Sequence, residues 1–235
     1  MYDKLLEEYK IRKECIKERL EEFKSIYNKP VSWFFENDSM ILKPSGKPDN
    51  ERIFEELVFC ILTANTSAVM GMKAVDSARN ILTTGTFQEV QNKLKNAGYR
   101  FPNARAEYIV ETRKRFTENY GFDFKNIIEN SNNRIELREF FVKNVKGFAY
   151  KEASHFLRNI GVFGLAILDK HILNSLLELS VIHEVPKSLD KKRYLDIEQK
   201  LAEFSKKINI GMDEMDLLLW SIKNGSGLLY RKSAK

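Results

Sequence analysis

Cysteine, histidine and proline are scarce in this chain, at two, three and five in 235 residues. Cys15 falls in an amphipathic run and Cys60 in an apolar one, so a disulfide framework is not expected and a reducing compartment is the default. Two cysteines also cannot ligate a four-cysteine iron–sulfur cluster. His155, His171 and His183 are scattered without ligand spacing, so no metal site is expected. No run of 18 apolar residues occurs, and the opening MYDKLLEEYK has no apolar signal core. The expectation is a soluble, cytoplasmic protein with no membrane partner. Strand-like alternation, internal repeats and low-complexity tracts are missing too, which points to an all-α, nearly all-helical fold.

Apolar residues make up 43% of the chain, enough for a real core in one large domain or two small lobes. Lys and Arg number 39 against 33 Asp and Glu, a net charge of +6. That excess suits a polyanionic partner but also an ordinary basic enzyme. Residues 1–27 place Tyr2, Leu5, Leu6, Tyr9, Ile16, Leu20, Phe23 and Tyr27 at helical spacing, with charges between them. Val31 to Pro48 is less regular and reads as a strand pair or a loop, with Trp33 in an apolar cluster that suits the core. A helix beginning near Asp49 or Asn50 carries Ile53, Phe54, Leu57, Val58, Ile61 and Leu62 as a buried stripe. It ends in Thr63-Ala64-Asn65-Thr66-Ser67. Val69–Leu82 and Phe87–Leu94 read as two more helices, followed by the loop Asn96–Asn103. A basic helix from Ala104 to Tyr120 carries Arg105, Arg113, Lys114 and Arg115 toward phosphate or solvent. Downstream, Leu189–Ile208 is helical with its end at Gly211, and Met212–Ile222 is a last helix capped near Asp213.

The stretch from Val142 to Leu173 stands apart. It reads as the end of a helix (Ile135–Val145), a glycine-centred hairpin (Lys146-Gly147-Phe148-Ala149-Tyr150), and a second helix opening at Lys151 and closing at Gly161. Asp169 then precedes the periodic run Ile172-Leu173-Leu176-Leu177 and reads as a helix N-cap. Two placements are odd for purely structural residues. Lys151 lies in the first turn of a helix, where the macrodipole disfavours an ammonium, and a neutral lysine amine is a nucleophile. Asp169 stands alone among Leu165, Ala166, Ile167 and Leu168. Free hairpin amides, a nucleophilic lysine and a lone carboxylate are the parts needed to cut a glycosidic bond on DNA.

Taken together, Lys146–Asn159 (KGFAYKEASHFLRN) and Leu168–Leu173 (LDKHIL) resemble the signature of the helix-hairpin-helix DNA glycosylases. The likeness is greatest to the small 8-oxoguanine DNA glycosylase/AP lyases typical of archaea. Phe59–Ser67 (FCILTANTS), Arg100–Asn103 (RFPN) and Asp216–Trp220 (DLLLW) fit as well, so the resemblance runs in patches from about Glu51 to Trp220. A hairpin glycine pattern alone is shared by many DNA-binding modules; Lys151 and Asp169 at this separation make it specific. The two cysteines exclude the cluster-bearing branch of the superfamily.

The resemblance implies a two-lobed helical fold with the DNA-binding cleft between lobes. One lobe would comprise about residues 1–50 and 185–235, the other about 51–184 with the hairpin 142–161. It implies a monomeric, nucleoid-associated repair enzyme that excises 8-oxoguanine from double-stranded DNA and cleaves the strand by β-elimination. Lys151 and Asp169 would be catalytic. Trp220, Asn65 and Ser67 would bind the damaged base, and Gly147, Phe148, Ala149 and His171 would hold phosphate. Arg100 and Phe101 would fill the gap left by the extruded nucleotide. Hairpin carbonyls would bind a monovalent cation shared with that phosphate; no other cofactor is implied. In the small archaeal enzymes the last lysine and its carboxylate follow the tryptophan closely and read the lesion. Here a longer tail follows Trp220, which bears on specificity more than on chemistry. Two other readings stay open at this point: a glycosylase for a different damaged or mismatched base, and a non-catalytic helix-hairpin-helix module.

Overall fold

Apolar residues at helical spacing along most of the chain build eleven helices among the described residues of this computed structural model. The structure describes residues 2–28, 31–36, 39–44, 46, 49–131 and 133–224. The side chain of Trp33, residues 45, 47 and 48 and the tail after Asn224 lie outside them.

Helix α1 (Tyr2–Asn28) buries Leu5, Ile16 and Phe23. It is followed by an antiparallel hairpin of β1 (Val31–Glu36) and β2 (Ser39–Pro44), in the register Val31 opposite Pro44 to Glu36 opposite Ser39. Of the two readings open for this segment, the strand pair is the observed one, and it is the one sheet among the described residues. The all-α class holds around it.

Helix α2 (Asp49–Thr63) buries its whole expected stripe, Ile53, Phe54, Leu57, Val58, Ile61 and Leu62. Being buried nearly all round, it is the central helix of the fold. Helix α3 (Ala68–Ala78) is shorter than expected, because the chain tightens into a 3-10 turn over Arg79–Ile81. Helix α4 (Phe87–Asn96) starts with a capping box. The Thr86 side chain accepts from Glu89 N–H, and the Glu89 carboxylate accepts from Thr86 N–H. Helix α5 (Pro102–Tyr120) begins at a proline, where the missing N–H costs nothing.

The short α6 (Phe124–Glu129), between the basic helix and the hairpin, was not legible in the pattern; it buries Phe124 alone. Helices α7 (Arg134–Asn144) and α8 (Tyr150–Asn159) flank the hairpin, and α9 (Lys170–Glu178) follows. Helix α10 (Lys191–Ile208) ends on Asn209, which takes the left-handed conformation (φ 55°), two residues before the expected stop at Gly211. Asparagine tolerates that conformation because its short amide bonds locally. The last helix, α11 (Met212–Asn224), packs on α1, α9 and α10, while α8 packs on α1, α2 and α7.

Candidate active site

Hairpin geometry sets the position of Lys151. Gly147 has φ +84°, and a Cβ there would sit 2.5 Å from the Tyr108 ring, so both conformation and space demand glycine. The Lys146 amine is spent on Glu107 and Glu111, at 2.5 and 2.8 Å. Two of the three expected phosphate-binding amides are engaged within the hairpin. Phe148 N–H donates to Val145 O (3.2 Å), and Ala149 N–H to the Glu152 carboxylate (3.3 Å). The Phe148 side chain is buried and packs toward Phe156. That side chain anchors the hairpin in the core, while the expected phosphate contact concerns the backbone.

Lys151 is the second residue of α8 and 26% exposed. Its Nζ lies 3.4 Å from Glu152 Oε1, beyond a good hydrogen bond. The buried Cys60 thiol in α2, the His155 imidazole one turn along α8 and the Asp216 carboxyl in α11 all sense its charge. Burial raises the Cys60 thiol well above its usual range, so it is no competing nucleophile. Burial first, then Arg158, Lys151 and Arg19, hold His155 well below the usual histidine range. Its ring packs edge-on to Phe59.

Asp169 is the expected N-cap of α9, with φ −86°, ψ 176° and its Oδ1 accepting from Ile172 N–H at 2.8 Å. In three dimensions it is not a lone carboxylate. Its charge, with that of Asp213, raises the carboxyl of Asp216. Asp213 itself does not cap α11; it accepts from Gly164 N–H at 2.9 and 3.1 Å and so pins the loop leading to Asp169.

Asp216 thus senses both expected catalytic residues. It is 7% exposed and accepts from Arg158 of α8 at 2.9 Å. Burial is the main cause that pushes it up to about 7, against the pull of Arg158 and Lys151. Arg158 also donates to Asn159 (2.9 Å), Asn159 to Glu56 (2.7 Å), and Arg52 to Glu56 (2.9 Å), so the end of α8 is bonded across to α2. The sequence pattern assigned Asp216 and Arg158 no role. They lie 58 positions apart, and periodicity carries no signal for such a pair.

The remaining expected site residues are dispersed. Trp220 lies one turn beyond Asp216 on α11 and is partly exposed. His171 is exposed in the first turn of α9. Arg100 is exposed, its guanidinium 5.0 Å from the Phe101 ring, and Phe101 is half-buried where α5 begins. Asn65 is exposed at φ 63°; Ser67 caps α3, accepting from Met70 N–H at 3.2 Å. Among the described residues no group of three or more His, Cys, Asp and Glu is arranged to hold a metal. No described helix is long and apolar enough to cross a membrane.

The sequence model of a family described as 8-oxoguanine DNA glycosylase, helix-hairpin-helix type, matches residues 16–210. An 8-oxoguanine DNA glycosylase/AP lyase of Methanocaldococcus jannaschii is 41% identical over 216 residues, 92% of each chain. One from Fusobacterium nucleatum is 40% identical, covering 90% of each. The crystal structure of the M. jannaschii enzyme in complex with a 15mer DNA containing 8-oxoguanine superposes with a TM-score of 0.78 and 40% identity. The match covers 94% of this chain and 96% of that one. The Thermotoga maritima 8-oxoguanine DNA glycosylase gives 0.77 at 36% identity, over 96% and 98%. On its sequence and on its fold, this chain belongs to the 8-oxoguanine DNA glycosylase family of the helix-hairpin-helix class.

Proposed function

We propose that the protein excises 8-oxoguanine from double-stranded DNA and cleaves the strand at the resulting abasic site, using Lys151 as the nucleophile of both steps. The observation that carries this reading is Lys151 itself. It is a partly buried amine directly after the hairpin, held by one loose contact and within electrostatic reach of the Asp216 carboxyl on α11. The relatives bearing the glycosylase/AP lyase name match nearly the whole chain, which supports the same activity here.

The target base is unreachable while stacked, so the nucleotide is first extruded from the duplex. Phe101 with Arg100 beside it suits the gap left behind, and Trp220 suits the face of the extruded base. Phosphate would rest on the Gly147 amide and the first-turn amides of α8 rather than on Phe148 or Ala149. Oxygen donors between Val145 and Ala149 are the carbonyls a monovalent cation shared with that phosphate would take.

Neutral Lys151 Nζ then attacks C1′ of the deoxyribose. The bond from C1′ to the base breaks, the base leaving with the electron pair and taking up a proton. Asp169, negative beside the sugar, stabilises the cation that develops there. Loss of a proton from nitrogen and opening of the sugar ring give the Schiff base. Loss of a proton from C2′ then breaks the C3′–O bond and frees the 3′ phosphate. The two-lobed cleft and the monomer expected from the family are part of this reading.

Borohydride trapping on duplexes with 8-oxoguanine opposite each base tests it. Wild type is captured covalently, and Lys151→Gln is not, while its DNA affinity stays within about threefold of wild type, since it alters one charge among many phosphate contacts. Capture of Lys151→Gln at the wild-type rate would mean a different nucleophile. Capture of wild type only on other lesions would assign another damaged or mismatched base.

A further inference from the structure

We propose that Asp216, clamped by Arg158, is a positioning residue that sets the electrostatic field at Lys151 and Asp169 and so governs the pH dependence of the chemical step. The inference rests on the reading of Lys151 and Asp169 given above.

Three observations carry it. Asp216 is almost fully buried, yet its one cation partner, Arg158 at 2.9 Å, sits on α8, the helix that begins with Lys151. It lies within electrostatic reach of both Lys151 and Asp169 without forming an ion pair with the lysine. It also precedes Trp220 by one turn on α11, so the bond to Arg158 fixes the base-facing helix against the nucleophile's helix. A salt bridge serving stability alone gains little from such a position, because desolvating the two charges offsets most of their attraction.

Charged groups on α8, α9 and α11 act on Asp216. Arg158 and Lys151 on α8 favour its anion, whereas Asp169 at the start of α9 and Asp213 on α11 oppose it. With burial dominant, the balance leaves it titrating near 7. Below that pH the carboxyl is neutral and its negative charge is missing from the site, which weakens the stabilisation of positive charge growing on the sugar. Above it Asp216 adds its charge to those of Asp169 and Asp213, and the same positive charge is better stabilised. Asp216 acts through the field and touches no reacting atom.

The test is the single-turnover rate of borohydride capture across pH 5.5–9 (roughly one and a half units below the expected transition to two above) on 8-oxoguanine duplex DNA. Wild type should rise through an inflection near 7. Asp216→Asn should flatten that inflection and slow capture at the alkaline plateau by about tenfold or more, less than the roughly 100- to 1000-fold expected for a group touching the reacting atoms. DNA affinity should be unchanged. Arg158→Gln removes the stabilising cation and should move the inflection to higher pH, while Arg158→Lys should keep it near the wild-type position. A wild-type profile in Asp216→Asn overturns the proposal. Should that variant not fold, an unmoved inflection in Arg158→Gln does the same. Capture by wild type that persists in Lys151→Gln defeats the underlying reading instead.

Discussion

The cations of α5 and α7 and the one cation that opens α8 are of the same chemical class but are held very differently. Arg105 donates to Ala64 O (3.1 Å), Arg113 to Leu82 O and Gly85 O (2.9 and 2.7 Å), and Arg115 to Lys143 O and Asn144 O (3.3 and 3.4 Å). Each binds carbonyls at or just beyond the end of a neighbouring element, where they lack helical partners. The expected phosphate-facing or solvated basic side of α5 is therefore largely a set of struts. Arg138 on α7 is fully buried and grips Glu198 with both terminal nitrogens, at 2.6 and 2.8 Å, between the Tyr150 and Tyr194 rings. Lys151 has one contact at 3.4 Å. A cation gripped by several acceptors supports the fold, and one held loosely within reach of a buried carboxyl remains available for chemistry.

The contrast can be broken at its strongest point first. Arg138→Met should cost about 3–5 kcal/mol of unfolding free energy, because Glu198 loses its bidentate partner. Denaturant titration reads this, and capture on lesion DNA should persist where the variant is still folded. Asp169→Asn should lower single-turnover capture by roughly 100- to 1000-fold, while DNA affinity changes little. Equal loss of both would reduce Asp169 to a helix cap. Arg113→Ala should destabilise by about 1–3 kcal/mol, since two carbonyls lose their donor, with no change in the capture rate per folded molecule.

The smallest effect is a pH dependence. His155 is neutral in the fold because burial and the cations Arg158, Lys151 and Arg19 lower it, whereas the unfolded chain titrates near 6.5. Unfolded protein thus binds more protons below 6.5, so stability falls as pH drops from there toward the lowered value. Urea midpoints at pH 7.5 and 5.5 should converge in His155→Gln relative to wild type.

Much of this was written in local pattern. The stripe of α2, the left-handed Gly161 after α8 and the Asp169 cap follow from residue spacing and from what glycine and aspartate do to a backbone. The end of α3 and the residue that stops α10 were misplaced, although Ile208 was correctly its last helical residue, because a 3-10 turn and a left-handed Asn209 leave no mark in hydrophobic period. Ser67 was legible as a polar helix end, but only coordinates show that it caps the next helix, through Met70 N–H.

By itself the sequence determined the helical class, the hairpin and the placing of Lys151 and Asp169 at helix starts, since each depends on neighbours a few positions away. Tertiary packing alone decided that Phe148 is core, that the arginines of α5 close other helices, and that Asp169 has a buried companion at position 216. Those outcomes depend on desolvation and on charges brought together from separate helices, and neither quantity exists along an extended chain.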